Sequence, residues 1–322
     1  MSLSHPAERA EPLAPTAEFA RDLALALSAR TKRLAPKYFY DATGSALFEQ
    51  ITQLEDYYPT RTEIGILEAH AHDIAALLPP GGVLVEFGSG ASVKVRLLLD
   101  RIPHLAAYVP VDISAEFLER TASDLRRAYP GIEILPLAGD FTQRFALPEL
   151  ARGRPLLGFF PGSTIGNFEP AEARDFLAHA RETLGAGSRM IVGVDLVKDP
   201  RLLHAAYNDA EGITARFNKN VLARANRELG ADFDLSAFVH RAFFNAPASR
   251  IEMHLISARA QTVHVQGAAY YFATGESLHT ECSYKYTLDG FKDLAGDAGW
   301  VSEAAWTDSE RLFSVHLLAS PD

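Results

Sequence analysis

The chain has 322 residues, 48% of them hydrophobic and 22% charged, which is ordinary for a globular protein and enough to bury a sizeable core in one large domain or two modest ones. A net charge of −10 argues against a nucleic-acid or anionic-membrane surface, and the single cysteine, Cys282, excludes an internal disulfide framework and a cysteine-rich zinc site. No apolar run approaches the ~20 residues that span a bilayer, and residues 1–16 are rich in acids and prolines. The expectation is a flexible tail on a cytoplasmic protein that acts as a monomer on small molecules.

Helical spacing puts Phe19, Leu23 and Leu27 on one face of a helix over 17–34, and a second short helix fits 44–54. The aromatic clusters KYFYD and EDYYPTRTE lie between and after them. A third helical pattern, from Arg61 to Leu78, ends at Pro79-Pro80-Gly81-Gly82. VLVEFGSG (83–90) is then an apolar run entering a glycine turn, the pattern of a buried parallel strand. Its glycines allow φ > 0 and close approach of a ligand at the strand's carboxyl end, where open α/β sheets bind their ligands. Glu86 puts an acid at that edge.

From there strands and helices alternate. A helix near 91–100 precedes the strand AYVPVDIS (107–114), and a helix over 115–128 starts after Ser114, a plausible N-cap. IEILPLAGDF (132–141) and LLGFFPGSTIGNF (156–168) are the third and fourth strands, followed by helix 170–184 and strand RMIVGVDL (189–196). Strands separated by helices imply parallel βαβ units, hence a doubly wound core. After Val197 the pattern changes: a long polar helix over 200–229, short paired strands at 238–245, 250–258 and 261–267, and an alternating segment at 277–286. Helix 287–299 and strand 311–320 return to the core. The organisation expected is 61–197 with 287–322 as core, and 198–286 as an insertion that packs with 17–60.

The glycine turn lacks the third glycine of a dinucleotide fingerprint, because Val93 stands there. Two more strand-end acids narrow its ligand. Asp112 lies about 24 residues past Gly88, where a carboxylate can accept from ribose hydroxyls. Asp140-Phe141 can take an adenine amino proton and stack on the base. Each acid alone can also be read as a helix cap or loop residue; together they suit a cationic cofactor without phosphates, such as S-adenosylmethionine, and Glu86 would repel a pyrophosphate. Gly162-Ser163-Thr164-Ile165-Gly166 is not a GxSxG elbow, which disfavours a hydrolase. His70 and His72 do not share a helix face, and the 11 histidines offer no ligand set by spacing, so no metal is expected. Along the alternating segment, Glu281 and Ser283 share one face and Cys282 points to the other, as a small core residue.

KYFYDATGSALFEQIT, YYPTRTE, EFGSGASVK, FPGSTIGNF and the pair Glu281 and Ser283 together resemble the histidine Nα-methyltransferases of ergothioneine biosynthesis, from about residue 35 to the end. The resemblance implies a class I S-adenosylmethionine-dependent methyltransferase core, Rossmann-like and α/β, with a smaller α+β substrate-binding domain. It implies transfer of three methyl groups to the α-amino group of L-histidine, giving hercynine and S-adenosyl-L-homocysteine. Matched by position, Gly88, Lys94, Asp112, Asp140 and Phe141, beside Glu86, would hold the cofactor. Tyr57, Gly162, Asn167 and Tyr207 would hold the amino and carboxylate groups, Glu281 and Ser283 would read the imidazole, and Met253 would touch the ring. Tyr40 and Phe48 would close the pocket, with Tyr40 and Tyr57 as the catalytic hydroxyls that relay the amine proton. Tyrosine or a tryptophan derivative as acceptor, a nicotinamide dehydrogenase and a non-catalytic binding protein are the competing readings.

Overall fold

The computed structural model describes residues 15–90, 93–102 and 104–321. From the N-terminus run α1 (Pro15–Ser28), the two-residue β1 (Lys32–Arg33), α2 (Ala42–Ile51) and α3 (Tyr58–Ala76). The alternating region contains β2 (Val83–Phe87), α4 (Val93–Leu99), β3 (Ala107–Asp112), α5 (Ala115–Ala128), β4 (Glu133–Ile134), β5 (Leu137–Ala138), β6 (Leu156–Phe160), α6 (Pro170–Leu184) and β7 (Arg189–Asp195). Then come α7 (Pro200–Tyr207), α8 (Ile213–Leu229), β8 (Phe238–Asn245), β9 (Arg250–Ser257), β10 (Gln261–Val265), β11 (Ala268–Phe272) and β12 (Ser277–Tyr284). The last elements are α9 (Leu288–Asp297), β13 (Val301–Thr307) and β14 (Phe313–Ala319).

The large sheet has the order β13-β14-β7-β6-β2-β3-β4, with β5 also paired to β3. Its strands are parallel from β4 to β7, and β14 and β13 add antiparallel at the edge. Every residue of β2 is buried, as a central strand covered on both faces requires. The chain leaves β2 for β3 on one side and reaches β6 on the other. The crevice between the carboxyl ends of β2 and β6 is therefore the switch point of a doubly wound, Rossmann-like α/β sheet. A second sheet, β1-β12-β9-β8, is packed with α1, α2, α7 and α8 around its own apolar cluster, in which Phe39, Phe217, Phe238 and Leu278 are buried.

Local chemistry explains where several elements depart from the sequence expectation. The first helix stops at Ser28, because Lys32 and Arg33 pair in parallel with Leu278 and His279. Ser114 holds the N-cap position of α5 without a side-chain cap bond; its backbone N–H is taken by Asp112 at 2.9 Å. The third strand is two short pieces on either side of Leu135-Pro136, and the fourth ends at Phe160, where the chain turns into a 3₁₀ segment, Thr164–Asn167. The long polar helix is broken between Tyr207 and Ile213: Asp209 accepts from the backbone of Ile213 and Thr214, and Gly212 has φ 68°. Strands β11 and β13 were not expected at all. Of the expected tail, residues 1–14 lie outside the described residues, whereas Pro15 and Thr16 already belong to α1.

Candidate active site

The loop after β6 is shaped by its glycines. Gly162 has φ 81°, a conformation that glycine adopts without strain. A Cβ on Gly166 would lie 2.7 Å from the carbonyl oxygen of Tyr284, so this loop sits directly on β12. The contact brings the switch point of the large sheet against the inner face of the small one. Between them is a cavity lined by Tyr40, Phe48, Tyr57, Gly162, Asn167, Tyr207, Met253, Glu281 and Ser283, with Asp195, Thr214, Phe217 and Lys285 among the other walls. All nine positions expected at the acceptor site thus face one space. Tyr57 is the tyrosine of its pair that faces it; the Tyr58 hydroxyl instead donates to both oxygens of Asp195, at 2.9 and 2.8 Å.

One wall is aromatic. Tyr40 and Phe48 meet edge to face at 5.9 Å, Phe48 and Tyr57 at 6.3 Å, and Tyr57 and Tyr207 at 6.4 Å. Burial holds the phenols of Tyr40 and Tyr57 well above the usual tyrosine range, so both stay protonated near neutrality. The opposite wall is β12 with the residue that follows it, so that Glu281, Ser283 and Lys285 line the cavity together. Glu281 is buried and, among the described residues, nothing hydrogen-bonds its carboxyl. Burial pushes it up to about 8, opposed by the charge of Lys285. Ser283 is hydrogen-bonded to Tyr207 and to Lys285, each at 2.8 Å.

Behind this wall lies a buried ionic hub at the end of β7. Asp195 receives Lys285 at 2.7 Å and Lys198 at 2.5 Å, and these two cations hold it below the usual carboxylate range in spite of its burial. Its backbone N–H donates to Ser163 of the cavity loop at 2.9 Å.

The positions expected at the cofactor line the neighbouring turn. Gly88 has φ 72°, and a Cβ there would stand 3.3 Å from the Phe141 ring, so the bare backbone leaves a cradle beside that ring. Asp112 accepts from the backbone of Gly90 at 3.3 Å and of Ser114 at 2.9 Å, and burial raises its carboxyl. Asp140 accepts from the Thr142 backbone and hydroxyl. Lys94 pairs with Glu63 at 2.5 Å, and Glu63 also accepts from Gly162 N–H at 3.0 and 2.9 Å, which ties the cofactor turn to the acceptor loop. The bare Gly88 backbone beside the Phe141 ring, the Asp112 carboxyl bonded to Gly90 and the Lys94 ammonium offer groups whose chemistry would suit the adenine, ribose and carboxylate of S-adenosylmethionine.

Glu86 departs from its expected role as a charged acid at the strand edge. Its carboxyl is fully buried, accepts the Tyr108 hydroxyl and is pushed up to about 8 by burial, so near pH 7 it carries no charge that would repel a phosphate. The residues not anticipated are Glu63, Asp195, Lys198 and Lys285. Lys285 had a signal, as the next inward position after 281 and 283. Asp195 obeys the same strand-end rule as Asp112. Also unanticipated by spacing is the meeting of Glu252, His254 and His279, whose ligand-type atoms lie within 4.8 Å of one another on the outer face of the small sheet. There Glu252 is already engaged by His254 at 3.0 Å, Asn245 at 2.9 Å and Arg250 at 2.7 Å.

Comparison with known proteins places these features in a family. Residues 19–320 match the model of the histidine-specific, S-adenosylmethionine-dependent methyltransferases. The chain is 44% identical over 303 residues to the histidine N-alpha-methyltransferase of Mycolicibacterium smegmatis, covering 92% of this chain and 93% of the relative. It is 42% identical over 304 residues to the protein of the same name from Mycobacterium tuberculosis, covering 93% and 94%. A third relative, ergothioneine biosynthesis protein 1 of Neurospora crassa, is 30% identical over 308 residues; the match covers 89% of this chain and 33% of that longer protein.

Proposed function

The chain belongs to the family of S-adenosylmethionine-dependent, histidine-specific methyltransferases, and from that premise we propose that it moves three methyl groups onto the α-amino nitrogen of L-histidine, giving hercynine for ergothioneine biosynthesis. The observation that carries this reading is Glu281: a buried carboxyl without a protein partner among the described residues, one inward position from a hydroxyl, in a cavity that adjoins a methyl-donor turn. An unpartnered buried acceptor is costly unless a ligand satisfies it, and an imidazole N–H does so.

In this reading Glu281 and Ser283 take the imidazole, and Met253 packs on the ring. Gly162, Asn167, Tyr57 and Tyr207 hold the amino and carboxylate groups, while Tyr40 and Phe48 close the aromatic wall. Gly88, Lys94, Asp112, Asp140 and Phe141 hold S-adenosylmethionine. Residues 61–197 with 287–322 form the donor half, and 17–60 with 198–286 the acceptor half. The cofactor, when bound, supplies an electrophilic methyl group on a positively charged sulfur. The protein's part is alignment and exclusion of water. The amine arrives largely protonated, since α-amino groups titrate near ~8. The amine gives its proton up to water, and the hydroxyls of Tyr40 and Tyr57, kept neutral by burial, act only as a relay that takes that proton while passing their own on to the water. The faces of Tyr40, Phe48 and Tyr57 also favour the methylammonium charge that builds up over successive transfers. Neither step calls for a metal, and we propose that the enzyme works without one, as a cytoplasmic monomer.

The test is incubation with S-adenosylmethionine and each of the twenty amino acids, followed by product mass. A gain of three methyl groups on histidine alone is expected. No mass change on histidine refutes the proposal, and methylation of tyrosine or tryptophan instead assigns the acceptor to another amino acid.

A further inference from the structure

A serine hydroxyl offers one proton and two lone pairs, so whether Ser283 gives or takes a hydrogen bond is set by its neighbours. Lys285 is fully buried and its ammonium has three protons and no lone pair. Those protons meet Asp195 Oδ2 at 2.7 Å, Ser283 Oγ at 2.8 Å and the Tyr207 oxygen at 3.2 Å. The Tyr207 oxygen is thus an acceptor toward Lys285. Burial, with the charges of Glu281 and Asp195, holds that phenol above its usual range, so it keeps its proton and donates it to Ser283 at 2.8 Å. Both lone pairs of Ser283 are then occupied by the protein. Its own proton is the one valence left, and the cavity is the space left for it.

Lys285 has no freedom to relax this arrangement. Asp195, which anchors it, is itself held by Lys198 at 2.5 Å and by the Tyr58 hydroxyl at 2.8 Å. We infer that Lys285 is a positioning residue that locks the Ser283 hydroxyl as a donor, so that the pocket reads neutral imidazole in one tautomer, with its N–H toward Glu281 and its bare nitrogen toward Ser283. This rests on the placement of the acceptor ring proposed above. An imidazolium presents an N–H on both sides and meets donor against donor. An indole has only a donor nitrogen and leaves the Ser283 proton without an acceptor. The lock thus supplies selectivity between ring types that Glu281 alone does not.

A double-mutant cycle tests it, with Ser283→Ala, Lys285→Met and the double variant, reading KM for histidine, KM for S-adenosylmethionine and kcat. One neutral hydrogen bond in the pocket corresponds to about tenfold in KM for histidine, so each single variant is expected to show about that rise. If Lys285 acts through Ser283, the double variant also shows about tenfold, a coupling of about 1.4 kcal/mol, while KM for S-adenosylmethionine moves less than about twofold. A rise of about a hundredfold in the double variant makes the two effects independent and overturns the inference. Loss of S-adenosylhomocysteine binding in both Lys285→Met and Lys285→Gln overturns it as well, since Lys285 is then only the counter-ion of Asp195. An unchanged KM for histidine in Ser283→Ala removes instead the ring placement on which the inference stands.

Discussion

Replacing Glu63 by glutamine tests whether the two halves of the site share one anchor. Glu63 projects from α3, is fully buried, and holds Lys94 at 2.5 Å on one side and the N–H of Gly162 at 2.9 Å on the other. Gly193 in β7 leaves it room, since a Cβ there would lie 2.0 Å from the carboxylate. Glutamine keeps the shape and still accepts from Gly162, but it ends the ion pair. A hydrogen bond to a charged group contributes ~1.5–3 kcal/mol. Lys94 is 16% exposed and partly rehydrated when released, so the lower part of that range applies, about 2 kcal/mol. Freed from Glu63, Lys94 loses its fixed position at the donor turn, and the Gly162 turn loses the charged half of its anchor. Initial rates, with each substrate varied at saturation of the other, are expected to show KM rising for both, by about tenfold for S-adenosylmethionine and a few-fold for histidine. Urea unfolding should show a loss of about the same 2 kcal/mol. A rise in one KM with the other unmoved refutes the shared anchor.

Two further carboxyls give separable predictions. Glu281→Ala should raise KM for histidine by roughly 10- to 100-fold with S-adenosylhomocysteine affinity unchanged by calorimetry; equal loss of both would mean that Glu281 lies elsewhere than against the ring. Because the empty Glu281 titrates at about 8 and only its ionised form is a full acceptor, histidine affinity should improve as pH rises through about 8. Glu281→Gln should lack that limb, and a variant with the wild-type slope sinks the assignment. Glu86 is the structural counterpart. Its folded pKa of about 8 lies above an unfolded value near ~4.3, so the folded state holds the proton longer, and stability falls as pH rises between the two values. Glu86→Gln should flatten that decline and be more stable than wild type at pH 9 by urea midpoint; parallel curves contradict it.

What was legible in the sequence was what depends on local rules. The run VLVEF is a central strand because five buried residues in succession leave no other placement for it, and Gly88 marks the turn because its backbone lies at positive φ. Asp112 and Asp140 follow from the strand-end rule. The rule applies equally to Asp195, yet its meaning was hidden, because Tyr58 and Lys285 reach it from distant segments and only the fold brings them there. The same holds for Glu63, which sits in a recognisable motif but has its two partners on α4 and in the loop after β6. Strand β13 was missed because VSEAAWT has neither an apolar run nor a clean alternation: it is an edge strand, largely exposed or half-buried along its length. The neutral state of Glu86 was equally invisible, since it comes from burial of the carboxyl between neighbouring strands, which outweighs the opposing hydrogen bond from the Tyr108 hydroxyl.

Alternation along β12 gave the shared face of Glu281 and Ser283 but hid how the strand reaches it. Strict alternation would place His279 on that face too. Instead the register with β9 shifts between His279 and Glu281, as in a β-bulge at Thr280. Thr280 is buried there and donates to Asn218 of α8 at 2.7 Å, with the Met253 carbonyl at 3.0 Å. The extra residue inverts the phase. His279 turns outward to stack on His254 at 4.5 Å and approaches Cys282 at 3.4 Å, while Glu281 turns inward to the cavity. A bulge re-aims side chains at the expense of one ladder position. Here it lets one strand pair with β1 through its first residues and still present Glu281, Ser283 and Lys285 as an unbroken polar face to the cavity. Without that inversion the inward face would begin with an imidazole of the protein's own, in line with the Glu281 carboxyl.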